Sequence, residues 1–180
     1  MRLLVVVDYQ HDFVDGALGS KAAQDIYNKV AAKINEYSED DDYVIFTRDT
    51  HLAGSYLYTN EGQHLPIPHC IYETKGWELM DGLYDEENPN HHIVNKHTFG
   101  FNWWWEAIDE FVDGISNPDV IEVIGVCTDI CVISNALVLK SLYPEAQFYV
   151  DAACCAGTSE EAHKAALTVM KSCQIDVTNE

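Results

Sequence analysis

Leu3, Leu4, Val5, Val6 and Val7 run together near the amino terminus and stop at Asp8. A continuous, largely β-branched run of that length predicts a strand buried on both faces. In Ala22 to Tyr37 the apolar positions Ala23, Ile26, Tyr27, Val30, Ala31 and Ile34 recur at helical spacing, which predicts one amphipathic helix. Tyr43–Thr47 reads as a second strand and His92–Val94 as a short third. A helix over Trp103–Val112, a strand over Val120–Ile124, a helix over Ile133–Leu142 and a strand over Gln147–Val150 follow. Thr158 and Glu161 have the spacing of a capping box, opening a helix that runs to about Cys173. Gln174–Val177 reads as the last strand.

Strands that alternate with helices predict an α/β fold: a doubly wound parallel sheet between two helical layers, a three-layer αβα arrangement. There is no repeat, low-complexity tract or linker, so residues 1–180 read as a single domain. The one long irregular stretch is Arg48 to Lys75, rich in His, Pro and aromatic residues. Loops of that length inside compact domains are commonly functional or disordered, and this composition favours function.

Thirty acidic against ten basic residues give a formal charge of −20 with histidines neutral. Such a field repels nucleic acid and anionic membrane, and neither is an expected partner. The runs Glu39–Asp42 and Asp85–Glu87 read as solvated acidic loops. Five apolar residues before Asp8 are too few for a signal-peptide core or a membrane span, so a cytoplasmic location is expected. Cys70, Cys127, Cys131, Cys154, Cys155 and Cys173 lack the spacing of a disulfide framework. Cys127 and Cys131 are one residue too far apart for a thioredoxin-type pair, and no second close pair would complete a zinc knuckle. The cysteines other than Cys131 read as small buried hydrophobes.

Cys131 is different because of its setting. Gly125-Val126-Cys127-Thr128-Asp129-Ile130-Cys131-Val132 joins a buried strand to a helix. Cys131 is therefore expected in a first helical turn at the carboxyl end of a strand. Unpaired N–H groups and the helix dipole there favour an anion, which predicts a thiolate of lowered pKa. Asp8 ends the first strand and Lys96 follows the short third, so a parallel sheet brings both to the same edge. Asp8 then becomes a plausible base, and Lys96 a cation able to steady thiolate and carboxylate. Asp49 and His51 follow the second strand, with Glu61, His64 and His69 further along the same loop. Imidazoles with carboxylates suit a divalent transition metal. His91-His92 reads as structural or surface, since adjacent strand residues point to opposite faces. Three consecutive indoles, Trp103-Trp104-Trp105, cannot share one core, so at least one is expected at the pocket or another subunit.

In their order these pieces resemble the isochorismatase-like cysteine hydrolases, and within them the nicotinamidase/pyrazinamidase branch. Asp8-x-Gln10-x-Asp12-Phe13 resembles the first motif of that family, Asp49-x-His51 its metal motif, Lys96 its lysine, and Gly125-Val126-x-Thr128-Asp129-x-Cys131-Val132 its nucleophile motif. The resemblance implies a six-stranded parallel sheet and a triad of Cys131, Asp8 and Lys96. It implies a cis peptide at Val126–Cys127, with an oxyanion held by the backbone N–H groups of Cys127 and Cys131. It also implies a divalent metal, zinc first with Mn²⁺ or Fe²⁺ as alternatives, on Asp49, His51, His69 and either Glu61 or His64. Thr59-x-Glu61-Gly62 resembles the variant with a carboxylate there. Phe13, Phe99 and Phe101 are expected against the substrate ring, because the usual stacking aromatic is replaced by Pro66. The expected activity is hydrolysis of nicotinamide to nicotinate and ammonia, with pyrazinamide as a second substrate, in a homo-oligomer. Two other readings stay open: a cysteine hydrolase of another small amide or carbamoyl compound, and a non-catalytic redox or binding protein with Cys127 and Cys131 as its thiol pair.

Overall fold

The computed structural model describes residues 1–38, 41–112 and 117–180. Residues 39 and 40 of the acidic run Glu39–Asp42 lie outside this set. Six parallel strands form one sheet: β1 (Arg2–Val7), β2 (Asp42–Asp49), β3 (His91–Lys96), β4 (Val120–Val126), β5 (Gln147–Ala156) and β6 (Asp176–Thr178). Their spatial order is β3-β2-β1-β4-β5-β6. The order reverses between β1 and β4, and a crevice at the carboxyl ends of such strands is where doubly wound sheets bind ligands. Right-handed crossovers place the helices between β1 and β2 on one face and those linking β4, β5 and β6 on the other.

The core follows the apolar runs. Leu3 to Val7 are wholly buried, and so are Val44 to Phe46 and Ile121, Val123 and Ile124. A short helix α1 (His11–Val14) precedes α2 (Lys21–Asp25) and α3 (Tyr27–Asn35), which replace the single helix expected over Ala22–Tyr37. They abut at Ile26, where the apolar spacing continues unchanged, so periodicity alone does not register the break. The irregular stretch holds a five-residue helix, α4 (Asn60–His64), between two 3-10 turns, Tyr56–Tyr58 and Lys75–Trp77. Then come α5 (Trp104–Phe111), α6 (Ile133–Leu142) and α7 (Glu160–Ser172).

β2, β3 and β4 run one or two residues beyond their expected ends, and three further boundaries move for reasons the local contacts show. β5 runs on past Val150 to Ala156, because a register shift between Val123 and Gly125 lets Cys155 and Ala156 pair with Gly125 and Val126. α7 is capped by Ser159, whose side chain accepts from the Ala162 N–H at 3.1 Å, not by Thr158. Gln174 takes a positive φ of 64° after α7, so the final strand starts at Asp176 instead of Gln174.

His91 and His92 on β3 are structural. His91 accepts from the Asp85 N–H at 3.2 Å through Nδ1 and packs on Phe46. His92 lies on the other side, stacked between Tyr43 and Phe111 with centroids at 6.2 and 4.3 Å. Burial lowers both pKa values, and that of His163. At these three positions the unfolded chain therefore binds more protons below about pH 6.5, and their contribution to stability is lost as pH falls through that value. The melting temperature should drop between pH 7 and 5.5, and drop less in His92→Phe, which keeps the ring stack. Identical pH slopes for parent and variant would remove His92 from this account.

Candidate active site

Asp8 is fully buried at the end of β1, with φ 48°. Its backbone N–H donates to Thr47 O at 3.2 Å, and its Oδ1 accepts from the Thr47 hydroxyl at 2.6 Å. Lys96 ends β3 in register with Asp49 and is 2% exposed. Its Nζ lies 2.6 Å from Asp8 Oδ2, 3.6 Å from Cys131 Sγ and 3.5 Å from Asp49 Oδ1. Cys131 sits in a π-helical turn, Thr128–Val132, between β4 and α6. The three residues expected at the sheet edge thus converge on one ammonium.

Their electrostatics correct one expectation. Burial pushes the Cys131 thiol well above its ordinary pKa, the Asp8 charge adds to this, and Lys96 opposes it. Burial likewise raises Asp8 against the pull of Lys96. For Lys96, burial lowers the pKa but Asp8, Cys131 and Asp49 together raise it. The thiol is therefore not a standing thiolate. The turn that holds it is buried, and desolvation outweighs a helix terminus. Lys96 stays cationic beside a protonated thiol.

The Val126–Cys127 peptide is cis. Gly125, just before it, has φ 117°, and a Cβ there would come 2.2 Å from Val7 O. Only glycine lets β4 pass this close to β1 beside Asp8.

Next to the triad, ligand atoms of Asp49, His51, Glu61 and His69 all lie within 4.8 Å of one another. His51 Nε2 is 2.9 Å from Asp49 Oδ2, and Glu61 Oε1 is 3.5 Å from His69 Nε2. His69 Nδ1 bonds Ile67 O at 2.9 Å, which fixes the tautomer that leaves Nε2 free to ligate. Burial lowers the His69 pKa, but hydrogen bonds to Asp49 and Glu61 push it up to about 10. The same pair of carboxylates would attract a cation, and two imidazoles with two carboxylates suit a divalent one. α4 places Glu61: Thr59 caps it by accepting from the Gly62 N–H at 3.0 Å, and Gly62 packs on the Tyr56 backbone. His64, the alternative ligand, is exposed at the rim, with Nδ1 bonded to Asn60 O at 2.8 Å.

Cys131 and all four residues of the cluster line one cavity of about 950 Å³, with Asp8 and Lys96 buried behind Cys131. Phe13 and Phe99 line it, but Phe101 does not. Phe101 instead packs edge-on against Trp104, centroids 5.2 Å apart, because Asn135 draws its N–H inward. None of the three tryptophans reaches the cavity: Trp104 is buried, while Trp103 and Trp105 are exposed.

Of the residues that support the site, Gln10 and Asp12 fall within the first motif, whereas Tyr56 and Asn135 carry no sequence signal of their role. Gln10 is wholly buried; it donates to Asp49 O at 2.9 Å and accepts from the Asp49 N–H at 2.8 Å. Asp12 accepts from the Cys70 N–H at 2.7 Å, fixing the chain beside His69. Tyr56 sets its ring edge-on to His51 and His69. Asn135, a lone amide in an apolar helix, donates to Cys131 O at 2.8 Å and Phe99 O at 3.0 Å. It also accepts from Phe101 N–H and Trp104 Nε1–H at 2.8 and 3.1 Å. Asn135→Leu, of similar volume, leaves these four groups without their partner. Urea unfolding should show a loss of about 2 kcal/mol or more, and an unchanged midpoint would refute the assignment.

A model of the isochorismatase domain matches residues 2–180 of the chain. The nicotinamidase of Schizosaccharomyces pombe is 26% identical over 213 aligned residues, spanning 98% of this chain and 92% of that protein. The pyrazinamidase/nicotinamidase structure from Streptococcus mutans superposes with a TM-score of 0.84 at 28% identity, covering 98% of this chain and 99% of that one. The pyrazinamidase of Pyrococcus horikoshii, solved in complex with zinc, gives 0.80 at 25% identity over 99% of each chain.

Proposed function

The chain belongs to the isochorismatase family and is an amide hydrolase, and we propose that it is a metal-containing cysteine amidase that converts nicotinamide to nicotinate and ammonia, with pyrazinamide as a second substrate. One observation carries this reading: the Lys96 ammonium sits 2.6 Å from Asp8 and 3.6 Å from Cys131, and Cys131 lines the same cavity as the Asp49, His51, Glu61 and His69 cluster. A structural ion pair explains Asp8 and Lys96, but not a thiol beside them and four metal donors in the same cavity.

The chemistry follows from the residues in place. Asp8 takes the Cys131 proton as the sulfur bonds to the carboxamide carbon. Lys96 keeps the net charge of the pair low throughout. The carbonyl oxygen becomes anionic against the backbone N–H groups of Cys127 and Cys131. The C–N bond breaks, Asp8 returns its proton to the nitrogen, and ammonia leaves an acyl group on sulfur. Water, deprotonated by Asp8, then displaces the thiol, which recovers that proton. A divalent cation held by Asp49, His51, Glu61 and His69, zinc in the first instance, would bind the ring nitrogen and polarise the ring. Phe13, with its centroid 5.4 Å from that of His69, would flank the ring. Exposed Trp103 and Trp105 would supply the contact in a homo-oligomer.

Pro66 is exposed and offers no ring to stack, which keeps another small amide or carbamoyl compound as the second reading. Ammonia release from nicotinamide, pyrazinamide, benzamide and simple carbamoyl compounds separates the two. Preference for the pyridine and pyrazine amides over benzamide supports a ring-nitrogen contact; equal rates would refute it.

A further inference from the structure

We propose that the cavity also accepts secondary carboxamides, in which a small apolar group on the amide nitrogen lies against the end of β5. This rests on the amidase reading and deepens it by naming a substrate class. Asp49, Asp8, Cys127 and Ala156 mark the carboxyl ends of β2, β1, β4 and β5, which are successive neighbours in the sheet. Adjacent strands are about 4.8 Å apart. A ring held at the metal cluster with its carbonyl carbon on Cys131 therefore extends from the β4 side toward β2. Asp8, at β1 between them, must face the nitrogen to protonate it as it leaves. A substituent on that nitrogen then points away from β1, toward β5.

That side is open in this chain. Ala156, Gly157 and Thr158 line the same cavity as Cys131 and the metal cluster. A Cβ on Gly157 would lie 2.8 Å from Asp129 Oδ1 and from His163 Cβ, so the packing holds this position bare. Thr158 is turned to Asp129, which accepts from its N–H at 2.8 Å and its hydroxyl at 2.5 Å. Val126 and Ile130 complete an apolar wall. About 950 Å³ lies near the top of the range for drug-sized ligands, far more than a single-ring amide fills. Sulfur adds, the C–N bond breaks, Asp8 delivers its proton to the departing alkylamine, and one water releases the same carboxylic acid.

The test uses the metal-loaded full chain with nicotinamide and its carboxamide N-methyl and N-ethyl derivatives, following nicotinate by chromatography. Both secondary amides should be hydrolysed with kcat/KM within about tenfold of nicotinamide. Thr158→Trp, which fills the β5 side, should lower the ratio of secondary to primary amide at least about tenfold. Thr158→Val, which drops the Asp129 hydroxyl bond at equal size, should leave that ratio unchanged. Hydrolysis of nicotinamide with refusal of both derivatives overturns this inference alone. Refusal of all three overturns the amidase reading with it. If Thr158→Trp does not fold, the substrate series on the parent chain still decides.

Discussion

Cys131→Ala should lower amide hydrolysis by at least about 10⁴-fold while folded protein is recovered at parental yield. The substitution removes one sulfur from a site that is 5% exposed, so its structural cost is small beside its chemical one. Cys127→Ala should be mild, because the role proposed for residue 127 is its backbone N–H. Equal and severe losses from both, or a Cys127–Cys131 disulfide in active protein, would favour a redox pair instead. Asp8→Asn should cost about 10²- to 10⁴-fold, since a neutral amide cannot take the thiol proton. It also strips the buried Lys96 of its nearest charge, so thermal stability must be measured alongside. The high thiol pKa makes a further demand on the same site. Alkylation of Cys131 should be slow at neutral pH and should accelerate as pH rises. Lys96→Ala should shift that profile upward, because the lysine is what lowers the thiol against burial and Asp8. An unchanged profile would remove Lys96 from the mechanism.

Glu61→Ala should weaken zinc binding by at least about 100-fold and abolish turnover with it, whereas His64→Ala should retain both. Glu61 reaches within 3.8 Å of His51 and 3.5 Å of His69, and His64 instead bonds back to its own helix. Metal content after dialysis, and competition with a chromogenic chelator, read the two variants directly. Chelation of the parent protein should abolish activity, and added zinc should restore it. Metal lost from His64→Ala and kept by Glu61→Ala would reverse the ligand choice. A parent protein that binds no divalent ion at all would remove the main support for a ring-nitrogen contact.

Much of this was legible in the chain because it depends on short-range order. Apolar runs such as Leu3–Val7 and Val120–Ile124 specify buried strands, and alternation with helices specifies a parallel sheet. In a parallel sheet every strand ends at the same edge. Asp8, Asp49, Lys96 and Cys131 could therefore be placed together before any contact was known. The place of Glu61 beside His51 and His69 was hinted at by a local pattern, Thr59-x-Glu61-Gly62, which proves to be a cap and a packed glycine.

What the sequence could not decide depends on burial and on partners distant in the chain. The thiol of Cys131 looks activated from its place before a helix, yet its pKa is set by enclosure and by Asp8, 123 positions away in the chain. Phe99 and Phe101 are indistinguishable as letters, but Asn135 draws one inward and the cavity takes the other. Asn135 looks like an ordinary polar residue until its hydrogen bond to Cys131 appears, and the motif that contains Gln10 does not say that it holds the Asp49 backbone. Strand periodicity and edge placement are properties of a segment and can be read from it. Desolvation, pairing and the open side of a cavity are properties of what packs against that segment, and only the tertiary structure supplies them.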